Sequence, residues 1–217
     1  MKGKSIGGSF GEALKLSGDG TILAISASNN DDKAEDAGQV VLYRWNESSS
    51  NYEQLEVING AAAGDRFGGE VGKGVSLALS SDGTTLAIGS KYHNNNSGYV
   101  KIYSIDNGIV SFRQELFGEN VNDYFGRAIT ISNDGNVLAI TALGARLINV
   151  YRREDASSDY ELIDEPIRTE EDRYVHSLTL SAQGNVSTLP IHKLSFQNRT
   201  PEGVVSLSFQ CEDIGGW

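Results

Sequence analysis

Few residues in this chain are of a type and spacing that could do chemistry, and each pattern can be weighed against what its chemistry requires. Gly7-Gly-Ser-Phe-Gly11 satisfies the G-x-S-x-G pattern of a hydrolase nucleophile elbow, which would make Ser9 an acyl-transfer nucleophile. That elbow needs a buried strand before the serine and a helix after it. Here six residues precede the motif and a strand-like pattern follows, so Ser9 is expected in a glycine-rich turn. Gly68-Gly-Glu-Val-Gly-Lys73 approaches a phosphate loop but is one residue short, and Gly74 stands where the magnesium-binding Ser or Thr belongs. A long glycine-rich loop is the better reading. His93, His176 and His192 have no i, i+4 spacing and no arranged carboxylate, so surface or turn positions are expected for all three. Asp31, Asp32 and Asp36 carry oxygen ligands suited to a hard cation, yet Asn29–Asp36 lacks the glycine that gives calcium loops their sharp turn. Asp19, Asp82 and Asp134 each precede a glycine, which places them in hairpin turns rather than in an acid/base pair. The expectation is therefore no catalytic residue, no cofactor-binding residue and no metal ligand, with calcium possible but not indicated.

The elements that position these residues repeat. Gly8–Ile25 aligns without a gap on Asp123–Ile140, placing Phe10 on Phe125, Leu14 and Leu16 on Ile129 and Ile131, and Asp19-Gly20 on Asp134-Gly135. Asp65–Ile88 aligns at both ends around about six extra residues, the stretch Gly69–Gly74. Asp172–Leu189 aligns more weakly, through Tyr174, Leu178, Leu180, Ser181 and Gly184. A second register agrees with the first: Tyr43, Tyr103 and Tyr151 are each followed nine residues on by Tyr52, Phe112 and Tyr160. Within a copy, a strand of alternating apolar residues ends in Ser-x-Asp-Gly, a short apolar run follows, a third strand ends in the tyrosine, and a polar hairpin such as Trp45–Asn51 leads to a fourth. Helical periodicity is nowhere convincing. The fold expected is all-β, a β-propeller-like array of four-stranded antiparallel blades with three clear repeats and a degenerate fourth, part of a larger or incomplete propeller. The copies run over 1–60, 61–118, 119–170 and 171–217.

Composition sets outer bounds. The 217 residues carry 18 Lys plus Arg against 29 Asp plus Glu, a net charge of −11, which argues against nucleic acid and anionic lipid as partners. Apolar residues make up 39% of the chain and charged residues 22%, a globular balance. Gly is abundant, with 25 residues against 3 Pro, as many tight turns require. Cys211 stands alone, so neither an intrachain disulfide nor a multi-thiolate zinc site is expected. No signal peptide is read in Met1–Phe10, and Val137–Val150 is too short and too polar to enter a membrane. Sequons at Asn46, Asn95, Asn185 and Asn198 occur at about the frequency chance gives.

Taken together, Asp65-Arg-Phe-Gly-Gly, Asp123-Tyr-Phe-Gly, Ser80-Ser-Asp-Gly-Thr-Thr-Leu-Ala-Ile and Gly98-Tyr-Val-Lys-Ile-Tyr resemble the FG-GAP repeats of integrin α-subunit propellers. The resemblance implies a non-enzymatic recognition module, extracellular or at the cell surface, binding a protein or glycan ligand on its blade loops. The family's calcium loop is absent. The Ser-x-Asp-Gly turn also resembles the sialidase Asp-box, which has one more residue between Asp and Gly. Two alternatives stand beside the binding module: a fragment of a longer surface protein without independent function, and a glycosidase or lyase on a propeller scaffold. Open blade faces would permit self-association, and the apolar run Val204–Phe209 could complete a blade or expose a pairing edge. Phe10, Phe67 and Phe125 are expected in equivalent buried positions between blades.

Overall fold

Three Ser-x-Asp-Gly turns set the register of the chain. In each, the serine hydroxyl donates to the aspartate and accepts the N–H of the residue five positions on: Ser17 from Ile22 at 2.9 Å, Ser80 from Thr85 at 2.9 Å, Ser132 from Val137 at 2.9 Å. Gly20, Gly83 and Gly135 supply the positive φ that closes the turn. The structure, a computed structural model, describes residues 7–69, 76–163, 165–168, 178 and 180.

Around these turns the chain folds as an all-β, propeller-like array. The first sheet is a meander of β1 (Phe10–Leu16), β2 (Ile22–Ala27), β3 (Gln39–Asn46) and β4 (Asn51–Asn59). The second repeats it with β5 (Leu77–Leu79), β6 (Thr85–Ser90), β7 (Tyr99–Asp106) and β8 (Ile109–Phe117). The third contains β9 (Phe125–Ile131), β10 (Val137–Ala142), β11 (Leu147–Arg152) and β12 (Glu161–Leu162), and β13 (Ile167–Arg168) adds a fifth strand on β11. Every strand pair is antiparallel. The third strands run past the tyrosine at which the sequence suggested they end: β3 continues through Trp45 to Asn46 and β7 through Asp106. The aromatic nine residues on then has a structural purpose. The hydroxyls of Tyr52 and Tyr160 reach back to the carbonyls of Gly20 and Gly135, tying the outer hairpin to the Asp-Gly turn.

Sheets stack face to face because both faces of each are apolar. Ala24, Val40 and Leu42 of the first sheet pack against Leu77, Leu86 and Ile88 of the second. Ala78, Ala87, Val100 and Ile102 of the second pack against Ile129, Leu138 and Ile140 of the third. Leu178 and Leu180, aligned on Ile129 and Ile131 by the repeat, lie against Val137, Ala139, Ile148 and Val150 of the third. Between blades, Arg153 of the third sheet is buried, donates to Thr85 of the second at 2.8 Å and lies over the Tyr160 ring.

Phe67 and Phe125 make the tightest of these contacts. Both are fully buried, and burying each side chain stabilises by about 2 to 3 kcal/mol. The N–H of Phe67 donates to Ala37 at 3.1 Å and that of Phe125 to Ser97 at 3.0 Å, so each opener docks on the third-strand entry of the blade before it. Gly38 (φ +78°) and Gly98 (φ +82°) lie under these phenylalanines, and a Cβ at either would run into the phenylalanine backbone. Phe10 differs: it is only half-buried, because no preceding blade covers it among the described residues. Leu14 and Leu16 differ likewise, for the same reason.

Gly98→Ala is expected to cost about 3 kcal/mol, since it adds both a left-handed strain and a backbone clash. Gly20→Ala has the same sign of φ in open space and should cost about 1 to 2 kcal/mol. Urea unfolding of the two variants compares them directly, and equal costs would contradict the packing role of Gly98.

Candidate functional site

The repeated aspartates are explained by their turns. Asp19 is exposed, and the Ser17 hydroxyl with the Thr21 N–H and hydroxyl holds its carboxyl below the usual range. At Asp134 burial acts upward, but the Ser132 hydroxyl and the N–H and side chain of Asn136 outweigh it and leave that carboxyl lowered as well. Ser9 sits at φ 55° directly before β1, so a strand, not a helix, follows it. In the acidic loop Asp31 accepts the Asp36 N–H at 2.7 Å, Asp32 accepts from Gln39 at 3.3 Å, and Asp36 pairs with Arg66 at 3.4 Å. Among the described residues no three His, Cys, Asp or Glu side chains gather as a metal site would need. Of the phosphate-loop-like stretch, Glu70–Lys73 lies outside the described residues, as do His176, His192, Cys211, Asn185, Asn198 and Val204–Phe209.

One histidine departs from its expected role. The sequence spacing arranges no carboxylate for His93, and the structure provides one: its Nδ1 lies 2.8 Å from Oδ1 of Asp65. The two are 28 residues apart, on the connection into β5 and on the connection from β6 to β7. Local chemistry explains the approach. Asp65 ends a turn in which its Oδ2 accepts the N–H groups of Ala61 and Ala62, both at 2.9 Å. The Tyr99 hydroxyl donates to the same oxygen at 3.2 Å. The left-handed run Asn94, Asn95 and Asn96 turns the other connection back on itself and leaves His93 over the Tyr99 ring, edge-on at 4.7 Å. Asparagine tolerates positive φ better than most residues, which is why three of them stand in a row.

The resulting geometry suits proton transfer. An ionised carboxylate can only accept, so this contact calls for a proton on Nδ1, and the neutral tautomer that makes it has its lone pair on Nε2. The Asp65 side chain is 2% exposed and that of His93 26%, so the orienting group is shielded while the ring reaches solvent. Burial, and then the Asp65 charge, push the Tyr99 phenol far above its ordinary value and keep it a neutral donor. Two cations pack on Tyr92, the residue before His93. Lys91 is buried with Nζ 4.7 Å from the Tyr92 ring, and the Arg66 guanidinium is 5.7 Å from the same ring. Tyr92 meets Tyr124 of the next blade edge-on at 6.3 Å.

The repeat separates what is structural here from what is added. Asp123 stands where Asp65 does and likewise caps its turn, accepting the Asn120 N–H at 2.7 Å. At the position of His93 the third copy has Ala145 and the first Asn30. Capping therefore accounts for the aspartate, and the histidine is particular to the second blade.

No family model matches the chain. Solved structures do. One is a "putative 6-phosphogluconolactonase" from Bacteroides fragilis, with 16% identity and a TM-score of 0.56 over 76% of this chain and 41% of that one. A second protein of the same description, from Bacteroides uniformis, has 17% identity and a TM-score of 0.53 over 72% and 40%. A functionally unknown protein from Desulfotomaculum acetoxidans matches at 11% identity and a TM-score of 0.50, over 76% and 43%. The chain spans about two fifths of the length of these structures. These neighbours correct the FG-GAP, integrin-like resemblance and, with it, the reading of a non-enzymatic protein-binding module. The blade pattern is that of a propeller fold shared with proteins described as lactonases.

Two outcomes follow from the site's hydrogen bonds. Asp65→Ala strips a cap, a tyrosine partner and the histidine partner together, and should cost about 2 to 3 kcal/mol. His93→Ala removes the one bond to the shielded Oδ1 of Asp65 and should cost about 1 to 2 kcal/mol in the same urea titration, less than Asp65→Ala. A larger cost at His93 would make it a structural residue. The lowered turn carboxyls set an acid limit: their stabilisation is complete above the ordinary carboxylate range and is lost as pH falls through their depressed folded values. Asp134→Asn should accordingly melt with a weaker pH dependence than the parent below about pH 4.

Proposed function

We propose that this chain forms blades of a hydrolytic propeller that opens lactones, the cyclic esters of sugar acids. The observation that carries the reading is the Asp65–His93 pair, a shielded carboxylate orienting a solvent-reaching imidazole. The two Bacteroides proteins that share the fold and are described as lactonases support the same reading. In this scheme Nε2 of His93 takes a proton from water as the water oxygen bonds to the lactone carbonyl carbon. Negative charge gathers on the carbonyl oxygen as that bond forms. The ring C–O bond then breaks, the imidazolium returns its proton to the departing alkoxide, and the product is the open hydroxy acid. Asp65 positions the ring and stabilises its cationic form without itself being protonated.

Titration of the acid released from δ-gluconolactone and from its 6-phosphate tests this. The protein should accelerate hydrolysis of at least one of them over the spontaneous rate in buffer. His93→Gln should lower kcat by about 100-fold or more while melting as the parent does. A folded parent protein that does not exceed the buffer rate, or a His93→Gln variant with full activity, would overturn the proposal.

A further inference from the structure

Five Asp-Gly or Asn-Gly pairs occur in the sequence: Asp19-Gly20, Asn59-Gly60, Asp82-Gly83, Asn107-Gly108 and Asp134-Gly135. Such pairs share one latent reaction, because glycine has no Cβ to hinder attack of its backbone nitrogen on the preceding side-chain carbonyl carbon. In four of them the fold occupies that nitrogen. The N–H of Gly20 donates to the Ser17 carbonyl at 2.9 Å, that of Gly60 to Gly38 at 2.9 Å, that of Gly83 to Ser80 at 3.0 Å and that of Gly135 to Ser132 at 3.0 Å. The side chains are held as well: a serine hydroxyl bonds each of the three aspartates, and Asn59 accepts the Gln39 amide at 2.9 Å. Asn107-Gly108 is the exception. It forms the two-residue turn between β7 and β8, with φ of 48° and 84°, and the Gly108 N–H has no acceptor among the described residues. Asn107 is exposed, and its Nδ2 donates to the exposed Asp106 carboxylate at 3.0 Å. The ladder pair that closes the turn, Asp106 with Ile109, is exposed on both strands, so it can open without the rest of the sheet.

We infer that Asn107 is a site of spontaneous deamidation, and that the fold directs the reaction there while withholding it from Asn59. The Gly108 nitrogen gives up its proton to hydroxide and bonds to Cγ of Asn107. The Cγ–Nδ2 bond breaks, and Nδ2 leaves as ammonia with a proton taken from water. The resulting succinimide then adds water at either ring carbonyl. Opening at Cγ leaves an aspartyl residue, and opening at the backbone carbonyl leaves an isoaspartyl residue whose chain runs through the former side chain. One water is consumed and one ammonia released. Either product adds a negative charge beside Asp106 to a chain already at −11. The isoaspartyl form also lengthens the turn by one backbone atom, and this turn lies at the seam between blades: a Cβ on Gly108 would stand 2.9 Å from a guanidinium nitrogen of Arg44 in the first sheet. Ageing of the protein therefore acts on the outer contact between its first two blades.

Mass spectrometry of the folded full chain, incubated for several days at mildly alkaline pH, reads both sites at once. Trypsin releases Asn107 as the sole asparagine of Ile102–Arg113 and Asn59 within Trp45–Arg66, and a sample digested before incubation sets the background. Ile102–Arg113 should gain one mass unit and split into two chromatographic forms, one of them methylated by an isoaspartyl methyltransferase. Its conversion should run at least about 10-fold faster than that of Asn59 in the same folded sample. In concentrated urea, where neither pair is held, the two asparagines should convert at similar rates. If Ile102–Arg113 keeps its mass in the folded chain while the urea sample converts, the turn protects Asn107 and the inference is overturned. Equal conversion of Asn59 and Asn107 in the folded chain would overturn it as well, because the fold would then be making no selection.

Discussion

Everything else in this molecule depends on how one blade holds the next. A phenylalanine from the opening of each following copy enters a gap in the preceding blade, and its own N–H closes a backbone hydrogen bond there: Phe67 to Ala37, Phe125 to Ser97. The contact combines a fully buried aromatic ring with a satisfied backbone donor, and it can form only where the preceding third strand begins with a glycine. Gly38 and Gly98 fill that role. Strand length, turn type and apolar pattern then follow as the conditions under which the next blade presents its phenylalanine in the right place.

The same contact builds the candidate site. Asp65 lies two residues before Phe67, and Ser97-Gly98, the seat of the next phenylalanine, closes the connection that carries His93. Both connections are therefore fixed at their ends by blade-to-blade contacts, and the carboxylate and imidazole meet where the two cross. Tyr99, one residue beyond Gly98, floors the site from the core side. A mobile surface loop could place a histidine near a carboxylate, but it would not hold the ring in one orientation.

Much of the fold was legible in the sequence because blade geometry is written in short-range signals. Asp-Gly turns, period-2 strands and the tyrosine-to-aromatic spacing are all local, and the structure assigns each a local task. The burial of Phe67 and Phe125 was legible too, whereas the exposure of Phe10, Leu14 and Leu16 was not, since identical residue types are covered or open according to what stands next to them. The Asp65–His93 pair was missed because it joins connections from two points in the chain, and spacing along a sequence carries no record of such a crossing. The one available signal was a contrast between copies: His93 against Ala145 and Asn30. The FG-GAP resemblance went astray for a related reason. Phe-Gly and Ser-x-Asp-Gly report how a blade turns and docks, a requirement that propellers of unrelated activity share.

Amide hydrogen exchange at Phe67 and Phe125 tests the central claim most directly. If these phenylalanines are the bonds between blades, their amides open only with the whole array, and their protection should equal that of the slowest core strands such as β6 and β10. Exchange at the rate of the exposed hairpin amides around Ser48 and Ser49 would contradict the account, because it would mean that the blades are held together by something else.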